Sequence, residues 1–308
     1  MLIDDEIVSN LQSGPYGLVA LFAIIWPVLM SFTLFKKFYG FSVGYGYSVF
    51  ACGLVLWNVF TTGSAPNTLY SADAGITFTT GRWLVRACLI YGARLGSYLL
   101  LRDITRKWNP MENGSIGSRI VLSISLALFY AMLMTPVLYC LRKEAASTTD
   151  SAEDIDDNGG DVQMQLPRLI QIFGCVLSWF GAILEAVADM QKFLVKQRQA
   201  SLIVEGGNES KDKKVEKFVG PTNGAYRISR HPNYLGEVLF WAGQVVAASP
   251  TFSGIQPWLW SGLGFLGIFS VMTMAAARLE KKQQEKYGGQ KDYDKWRNEV
   301  KGSLFFHP

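Results

Sequence analysis

Long apolar blocks separated by polar stretches dominate the pattern of this chain. Each block approaches or reaches the roughly 17–25 residues that a helix needs to cross a bilayer. No alternation with a period of two residues runs through the blocks, so the pattern favours helices over the strands of a barrel. Seven spans are predicted: Tyr16–Phe35, Val43–Thr61, Trp83–Leu101, Ile120–Leu141, Leu169–Met190, Tyr234–Ala248 and Trp258–Ala277.

The composition supports an all-α integral membrane protein. Of the 308 residues, 49% are hydrophobic and only 18% are charged, whereas soluble domains carry about a quarter charged residues. The four cysteines lie inside apolar blocks at spacings that fit neither a zinc site nor a disulfide framework. We therefore expect no metal, and we expect membrane lipid rather than nucleic acid as a partner.

The placement of Lys and Arg predicts the orientation of a seven-helix bundle. Basic residues crowd the loops after the first, third and fifth spans and the tail after the seventh, and they are sparse in the alternate loops. Because cytosolic loops carry the excess of Lys and Arg, the N-terminus is expected on the exoplasmic or lumenal side and the C-terminus in the cytosol.

Three regions follow from these spans. Residues 1–141 form an N-terminal half with four spans, and residues 169–308 form a C-terminal region with three spans and the cytosolic motifs. Residues 142–168 between them are rich in acids and small residues. That composition predicts a disordered exoplasmic loop.

A dense polar cluster between Gly224 and Glu237 is the main candidate for chemistry. Polar groups at the mouth of an apolar segment are costly unless they are paired or bind something. Pro232 suits the first turn of a helix, and helix N-termini with nearby Arg suit phosphate groups. The cluster consists of Arg227, Arg230, His231, Asn233, Tyr234 and Glu237.

Two further spans carry polar residues that are unusual inside a membrane. Glu185 and Asp189 are four residues apart and share a helix face. They are either functional or part of an acid–base ladder that pins the helix at the interface. In the third span, Tyr91, Arg94 and Tyr98 share a face, and an Arg at mid-span requires a polar interior, a partner or a ligand.

The tail that follows the seventh span contains Tyr293 and Trp296 among many charged residues. It is either a basic amphipathic helix on anionic lipid or a segment that closes over the same cytosolic pocket as the polar cluster.

The motif Glu185-x-x-x-Asp189-x-Gln191, followed by Tyr226-Arg-x-Ser-Arg-His-Pro-Asn-Tyr-Leu-Gly-Glu237, resembles the steroid 5-alpha-reductase-like membrane family. The resemblance is nearest to a branch described as an uncharacterised domain, and it extends from the third span to the C-terminus. It implies a seven-helix bundle that uses NADPH to reduce a carbon–carbon double bond conjugated to a ketone.

The resemblance also implies roles for individual residues. Tyr91 and Arg94 are expected to be catalytic, with the Tyr91 hydroxyl at the substrate carbonyl. In the steroid reductases an acid from the second span assists that Tyr, but here Asn58 is the nearest polar candidate. Asn58, Tyr98 and Glu185 are therefore expected on the side of a lipid-like substrate. The residues expected around the cofactor are Asp189, Arg227, Arg230, His231, Asn233, Tyr234, Glu237 and Tyr293.

Two other functions remain open at this point. The isoprenylcysteine carboxyl methyltransferases share an R-H-P-x-Y-x-G core, so a membrane methyltransferase that uses S-adenosylmethionine is the main alternative. A non-enzymatic lipid-binding protein is the second. As a reductase, this multi-pass protein is expected to lie in the membrane of the endoplasmic reticulum and to act in lipid metabolism.

Overall fold

The computed structural model of the chain is entirely helical where it is described, with no strand. It describes residues 4–62, 79–105, 114–150, 165–205, 217–300 and 302–304. The helices are α1 (Asp5–Gln12), α2 (Gly17–Phe35), α3 (Val43–Trp57), α4 (Thr80–Ile104), α5 (Ile116–Asp150), α6 (Gln165–Glu205), α7 (Pro232–Ala248), α8 (Ile255–Tyr287) and α9 (Lys291–Glu299).

Six of these helices are long and apolar enough to cross a membrane: α2, α3 with the turn that follows it, α4, α5, α6 and α8. The helix α7, at the sixth predicted span, does not join them. Its 17 residues extend about 26 Å at 1.5 Å per residue, which is short of a hydrocarbon core of about 30 Å. The chain is therefore a helical multi-pass membrane protein with six spans supported by length and composition.

The helices extend beyond the predicted apolar blocks. The helix α5 continues to Asp150, into the predicted acidic loop, and α6 continues to Glu205. The added stretches are rich in Ala, Glu, Gln, Lys and Arg, all strong helix formers, so the helix has no local reason to end where the apolar residues do. The centre of the predicted loop, residues 151–164, lies outside the described residues.

The described residues form two compact units. Unit 1 comprises residues 1–178 and 241–267, and unit 2 comprises residues 179–240 and 268–308.

In unit 1, α3 and α4 pack backbone against backbone. A Cβ atom on Gly46 would lie 2.7 Å from the Cα of Gly96 and 3.0 Å from the carbonyl oxygen of Gly92. Small residues on both faces therefore allow the close approach that drives helix association in lipid, where apolar side chains gain nothing over lipid tails.

An arginine ties the short helix α1 to unit 1. The Nε atom of Arg142 donates to the carbonyl oxygen of Leu11 over 2.8 Å, and its Nη2 donates to Asn10 and Gly14. These carbonyls lie at or just after the end of α1, where helices leave acceptors without an internal partner. The guanidinium therefore caps α1 from α5.

In unit 2, α6 and α7 also pack through glycine. A Cβ atom on Gly236 would lie 2.6 Å from the backbone nitrogen of Glu185 and 2.7 Å from the carbonyl oxygen of Gly181. A second contact surface is an aromatic cluster in which Phe218 stacks on Trp296 at 5.6 Å and meets Tyr293 edge-on at 5.1 Å. This cluster holds α9 against the rest of unit 2.

The glycine contact of unit 1 predicts a sharp difference between two substitutions. Gly46→Ala forces α3 and α4 apart, and overpacking of this kind costs about 1–3 kcal/mol. Gly262→Ala is the control, because a Cβ atom there meets nothing within 4 Å. Thermal unfolding in detergent should show a lower midpoint for Gly46→Ala and no loss for Gly262→Ala; equal midpoints for both variants would contradict the packing described here.

Candidate functional site

The polar motif begins with a turn shaped by Gly224. This residue has φ +63°, a conformation that side chains other than glycine rarely adopt. A Cβ atom at Gly224 would overlap the amide of Gln191, whose Oε1 accepts the backbone N–H of Ala225 over 3.2 Å. The turn then leads into Arg227, and α7 begins at Pro232 as predicted from its preference for the first helical turn.

The partly buried Glu280 carboxylate, on α8, is the centre of the site; 13% of its side chain is exposed. Its Oε1 accepts from Arg230 Nε over 2.8 Å and from His231 Nε2 over 2.9 Å. Its Oε2 lies 3.7 Å from a terminal nitrogen of Arg297 on α9. Because a carboxylate only accepts hydrogen bonds, Nε2 of His231 must carry a proton toward it.

The motif also binds the C-terminal segment of the chain. The backbone N–H groups of Arg230 and His231 donate to the carbonyl oxygens of Gly302 and Ser303 at 3.0 and 3.1 Å. The Ser229 hydroxyl donates to the Ser303 carbonyl at 2.7 Å, and the Arg230 guanidinium donates to the Val300 carbonyl. The segment Ser229–His231 therefore acts as a clasp that holds Val300, directly after α9, and Gly302 and Ser303 beyond it.

Burial sets the protonation state of His231. The ring is 1% exposed and stacks on Tyr234 with centroids 5.7 Å apart. Burial lowers the pKa of His231, and the hydrogen bond to Glu280 opposes part of that shift. The imidazole is therefore neutral near pH 7 and donates one proton to Glu280.

Asp189 pairs with Asn233. The Nδ2 atom of Asn233 donates to Asp189 Oδ1 over 3.4 Å, and Asp189 is 6% exposed. Glu185 and Glu237 are also buried, at 3% and 7%. These side chains come from α6 and α7, two helices of unit 2 whose backbones meet at Gly236.

Arg227 lies apart from the clasp and lines an open cavity of about 510 Å³. Within the part of the chain that the structure describes, its guanidinium has no hydrogen-bonding or ion-pair partner. The cavity is within the usual size range of small-molecule and cofactor sites, about 300–1,000 Å³. Its walls are Phe218, Val219, Thr222, Asn223, Arg227, Asp292, Lys295, Trp296, Glu299 and Val300.

Tyr293 is buried beneath this cavity rather than lining it. It is 1% exposed and packs between Phe218 and Trp296, and burial raises its pKa. Its hydroxyl accepts from Arg297 over 3.3 Å. The structure thus places Tyr293 in the support of the cavity wall, where it fixes α9.

The predicted catalytic residues belong to unit 1. Tyr91 is 1% exposed, and its ring meets those of Tyr45 and Trp241 edge-on, with centroids 6.4 and 6.3 Å away. The guanidinium of Arg94 lies 5.5 Å from the centre of the Tyr91 ring. Tyr45 also accepts the indole N–H of Trp241 over 2.7 Å, so Tyr91 belongs to a buried aromatic cluster with polar edges.

The two remaining substrate candidates of unit 1 lie near helix ends. The amide of Asn58 donates to the carbonyl oxygen of Leu54 over 2.8 Å, in the π-helical turn that follows α3. Tyr98 is half-buried under the guanidinium of Arg102, which lies 5.8 Å from its ring centre.

Sequence reasoning missed Glu280 and Lys295. Both stand in the charged tail, where many acids and bases alternate and none is distinguished by its neighbours. The adjacent Arg230 and His231 could have predicted a carboxylate partner, because a cation that is withdrawn from water is stable only when it is paired. Glu280 on α8 meets that requirement.

Glu280→Gln should loosen the clasp. The substitution leaves the partly buried Arg230 without its counter-charge. Breaking a fully buried pair costs about 3–5 kcal/mol, so a smaller loss of stability is expected here. Hydrogen exchange should then accelerate in α9, and limited proteolysis should cut near residue 300. The control is Glu285→Gln, which removes an exposed carboxylate from the same helix; exchange rates in α9 that matched those of the control would contradict the clasp.

The neutral state of His231 predicts how stability changes with pH. Because its pKa is lower in the folded protein than in the unfolded chain, the unfolded chain binds more protons in the interval below about pH 6.5. The wild type should therefore lose thermal stability as the pH falls through that interval, and His231→Gln should show a flatter profile. A wild type that instead gained stability on acidification, relative to the variant, would mean that the imidazolium is the favoured form beside Glu280.

The comparisons with known proteins identify one family. The sequence model of DUF1295, described as a protein of unknown function, matches residues 55–300. No curated protein and no solved structure matches the chain. The matched residues include the polar motif, the cavity and Glu280, and they make up most of the chain, so this protein belongs to the DUF1295 family.

Proposed function

We propose that this protein is a membrane-embedded, NADPH-dependent reductase of a carbon–carbon double bond conjugated to a ketone in a sterol-, steroid- or isoprenoid-like substrate. The observation that carries the proposal is the cavity of unit 2. It exposes the Arg227 guanidinium, which has no partner among the described residues and lies three residues before the Arg-His-Pro-Asn-Tyr motif. The resemblance of that motif to the steroid 5-alpha-reductase-like family supports the choice of reaction.

The residues of the cavity fit a phosphorylated dinucleotide. Arg227 and Lys295 supply two cations for phosphate groups, and Thr222 and Asn223 supply further hydrogen bonds. Asp292 and Glu299 suit ribose hydroxyls, which can donate to a carboxylate. The Trp296 side chain is buried and stacks on Phe218, so it supports the wall of the cavity.

The chemistry divides between cofactor and protein. Bound NADPH supplies the hydride, and the protein contributes binding, orientation and electrostatics. Addition of hydride to the β carbon of an enone places negative charge on the carbonyl oxygen, and a hydroxyl that donates to that oxygen lowers the barrier. The proposal gives this role to the buried hydroxyl of Tyr91, with the Arg94 cation close to its ring favouring the developing charge.

The second span does not supply the acid that assists the equivalent Tyr in steroid reductases. Asn58 already donates its amide to Leu54, so the proposal leaves it a local role at the end of α3. Tyr45, also from α3, packs on Tyr91 and receives a hydrogen bond from Trp241. The surroundings of Tyr91 are therefore aromatic, with Arg94 as the nearby cation.

The proposal includes the full topology. The protein is proposed to cross the endoplasmic reticulum membrane seven times, with α7 as the short sixth span. Its N-terminus then lies on the exoplasmic or lumenal side and its C-terminus in the cytosol. The support is the distribution of Lys and Arg among the loops. This orientation presents the cavity of unit 2 to cytosolic NADPH.

Nucleotide binding to the full-length protein in detergent tests the proposal. The wild type should bind NADPH, and Arg227→Gln and Lys295→Gln should each weaken binding roughly tenfold, because a hydrogen bond to a charged group contributes about 1.5–3 kcal/mol. Lys281→Gln is the control, since it removes an exposed cation of α8 outside the cavity. Titration calorimetry measures all four proteins.

Two outcomes would contradict the proposal. Binding of S-adenosylmethionine without binding of NADPH would favour the methyltransferase alternative. Binding of NADPH by Arg227→Gln with the affinity of the wild type would remove the cavity as the cofactor site.

A further inference from the structure

Unit 1 carries an arginine on the outside of a membrane-crossing helix. Arg86 is exposed and lies six residues after the start of α4 at Thr80, which is about 9 Å along the helix axis at 1.5 Å per residue. The whole of α4, with 25 residues, is about 38 Å long, against a hydrocarbon core of about 30 Å. The guanidinium of Arg86 is therefore near the boundary between hydrocarbon and lipid headgroups.

Two indole rings hold this guanidinium in place. Its central carbon lies 5.2 Å from the ring centre of Trp57 on α3 and 5.7 Å from that of Trp83 on α4. Both distances are within the roughly 6 Å range of a cation–π contact, and Trp is the side chain that membrane interfaces favour. Because the two rings belong to different helices, they fix the cation over the junction of α3 and α4.

Arg86 has no carboxylate partner in the part of the chain that the structure describes. The acids of unit 1 with described side chains are Asp4, Asp5, Glu6, Asp103 and Glu144. None of them forms an ion pair with Arg86. Asp103 pairs with Lys36. Glu144 accepts a backbone N–H at the start of α4 and is attracted by Arg82. A cation that faces lipid is costly without a counter-charge, so Arg86 calls for an anion from the bilayer.

An apolar surface continues from Arg86 toward the middle of the membrane. On α4, Trp83, Arg86 and Ile90 are three and four residues apart and share one helix face. On α3, Leu54 shares a face with Trp57 in the same way. Leu54 and Ile90 are 40% and 56% exposed. These five residues are called the α3–α4 surface below; the surface has one cation at its outer end and apolar side chains beneath it.

The phosphate of a phospholipid is the anion that fits this position. The planar guanidinium fork matches phosphate oxygens in a bidentate manner, and a phospholipid carries its phosphate at the membrane boundary with hydrocarbon directly below. A phosphodiester also keeps its charge there. A fatty acid is less suitable, because withdrawal from water raises the pKa of a carboxyl group and favours its neutral form.

We propose that the α3–α4 surface binds a membrane phospholipid, with the lipid phosphate on the Arg86 guanidinium and an acyl chain along Leu54 and Ile90. The indoles of Trp57 and Trp83 hold the cation ready for the phosphate. This site does not rest on the proposed reductase activity, since neither Tyr91 nor the cavity of unit 2 contributes to it.

Photo-crosslinking of the full-length protein in detergent tests the site. The probe is a phosphatidylcholine with a diazirine near the start of one acyl chain, and mass spectrometry identifies the labelled peptides. Label should concentrate in residues 54–57 and 83–90. The reference for non-specific lipid contact is the label at Leu263 and Leu266, which are 44% and 59% exposed on the membrane-crossing helix α8.

Competition between lipids identifies the headgroup. Dioleoylphosphatidylcholine should displace the label at residues 54–57 and 83–90 about tenfold more effectively than dioleoylglycerol or oleate, because a hydrogen bond to a charged group is worth at least a factor of about ten in affinity. Equal displacement by dioleoylglycerol would mean that the surface does not recognise a headgroup, and equal displacement by oleate would mean that phosphate is not required. Either result would overturn the proposal, as would label no stronger than the reference.

A single substitution tests the role of the cation. Arg86→Gln should lower the label at residues 54–57 and 83–90 about tenfold and leave the reference label on α8 unchanged. The matched control is Arg278→Gln, which removes an exposed arginine from α8 and should label residues 54–57 and 83–90 like the wild type. Wild-type labelling of an Arg86→Gln protein that gel filtration shows to be folded would overturn the proposal. The competition on the wild type decides the question if the variant does not fold.

Discussion

Unit 2 depends on the pairing of one partly buried carboxylate, Glu280, with Arg230 and His231. A carboxylate taken out of water is stable only if it is paired and hydrogen-bonded, and here each oxygen faces a donor-bearing side chain from another segment. Because those segments are the motif turn and α9, satisfying Glu280 fixes both. The backbone donors of the motif then hold residues 302–303, and α9 is set as one wall of the cavity that exposes Arg227.

This arrangement divides the polar motif into two groups with different tasks. Ser229, Arg230 and His231 bind the protein's own C-terminal segment and Glu280, whereas Arg227 faces the cavity. In a motif rich in cations, some side chains can bind a ligand while others bind protein groups and hold the site together. The aromatic contact between Phe218 and Trp296 completes the support, and it packs Tyr293 beneath the wall.

Most helices could be predicted from the sequence because long apolar blocks are typical of membrane-crossing helices. The start of α7 could be predicted from Pro232, which suits the first turn of a helix. A span at α7 stays a prediction, because its 17 residues are about one turn short of a typical membrane-crossing helix. Glu280 could not be predicted as the partner of Arg230 because the two residues are 50 positions apart in the chain. Glu280 also lies among many other acidic and basic residues, and no local feature distinguishes it from them. Helix ends at Asp150 and Glu205 were missed because good helix formers extend beyond the apolar blocks.

The proposed reduction of an enone, with the Tyr91 hydroxyl at the carbonyl oxygen, is tested most directly by following the hydride. Purified protein is given NADPH deuterated at the reactive carbon of the nicotinamide together with a lipid-like enone, and the product is analysed by mass spectrometry and NMR. Deuterium is expected at the β carbon of the reduced ketone, and Tyr91→Phe is expected to lower the rate about 10²- to 10³-fold. An enone recovered without deuterium, together with transfer of a labelled methyl group from S-adenosylmethionine to a lipid acceptor, would contradict it.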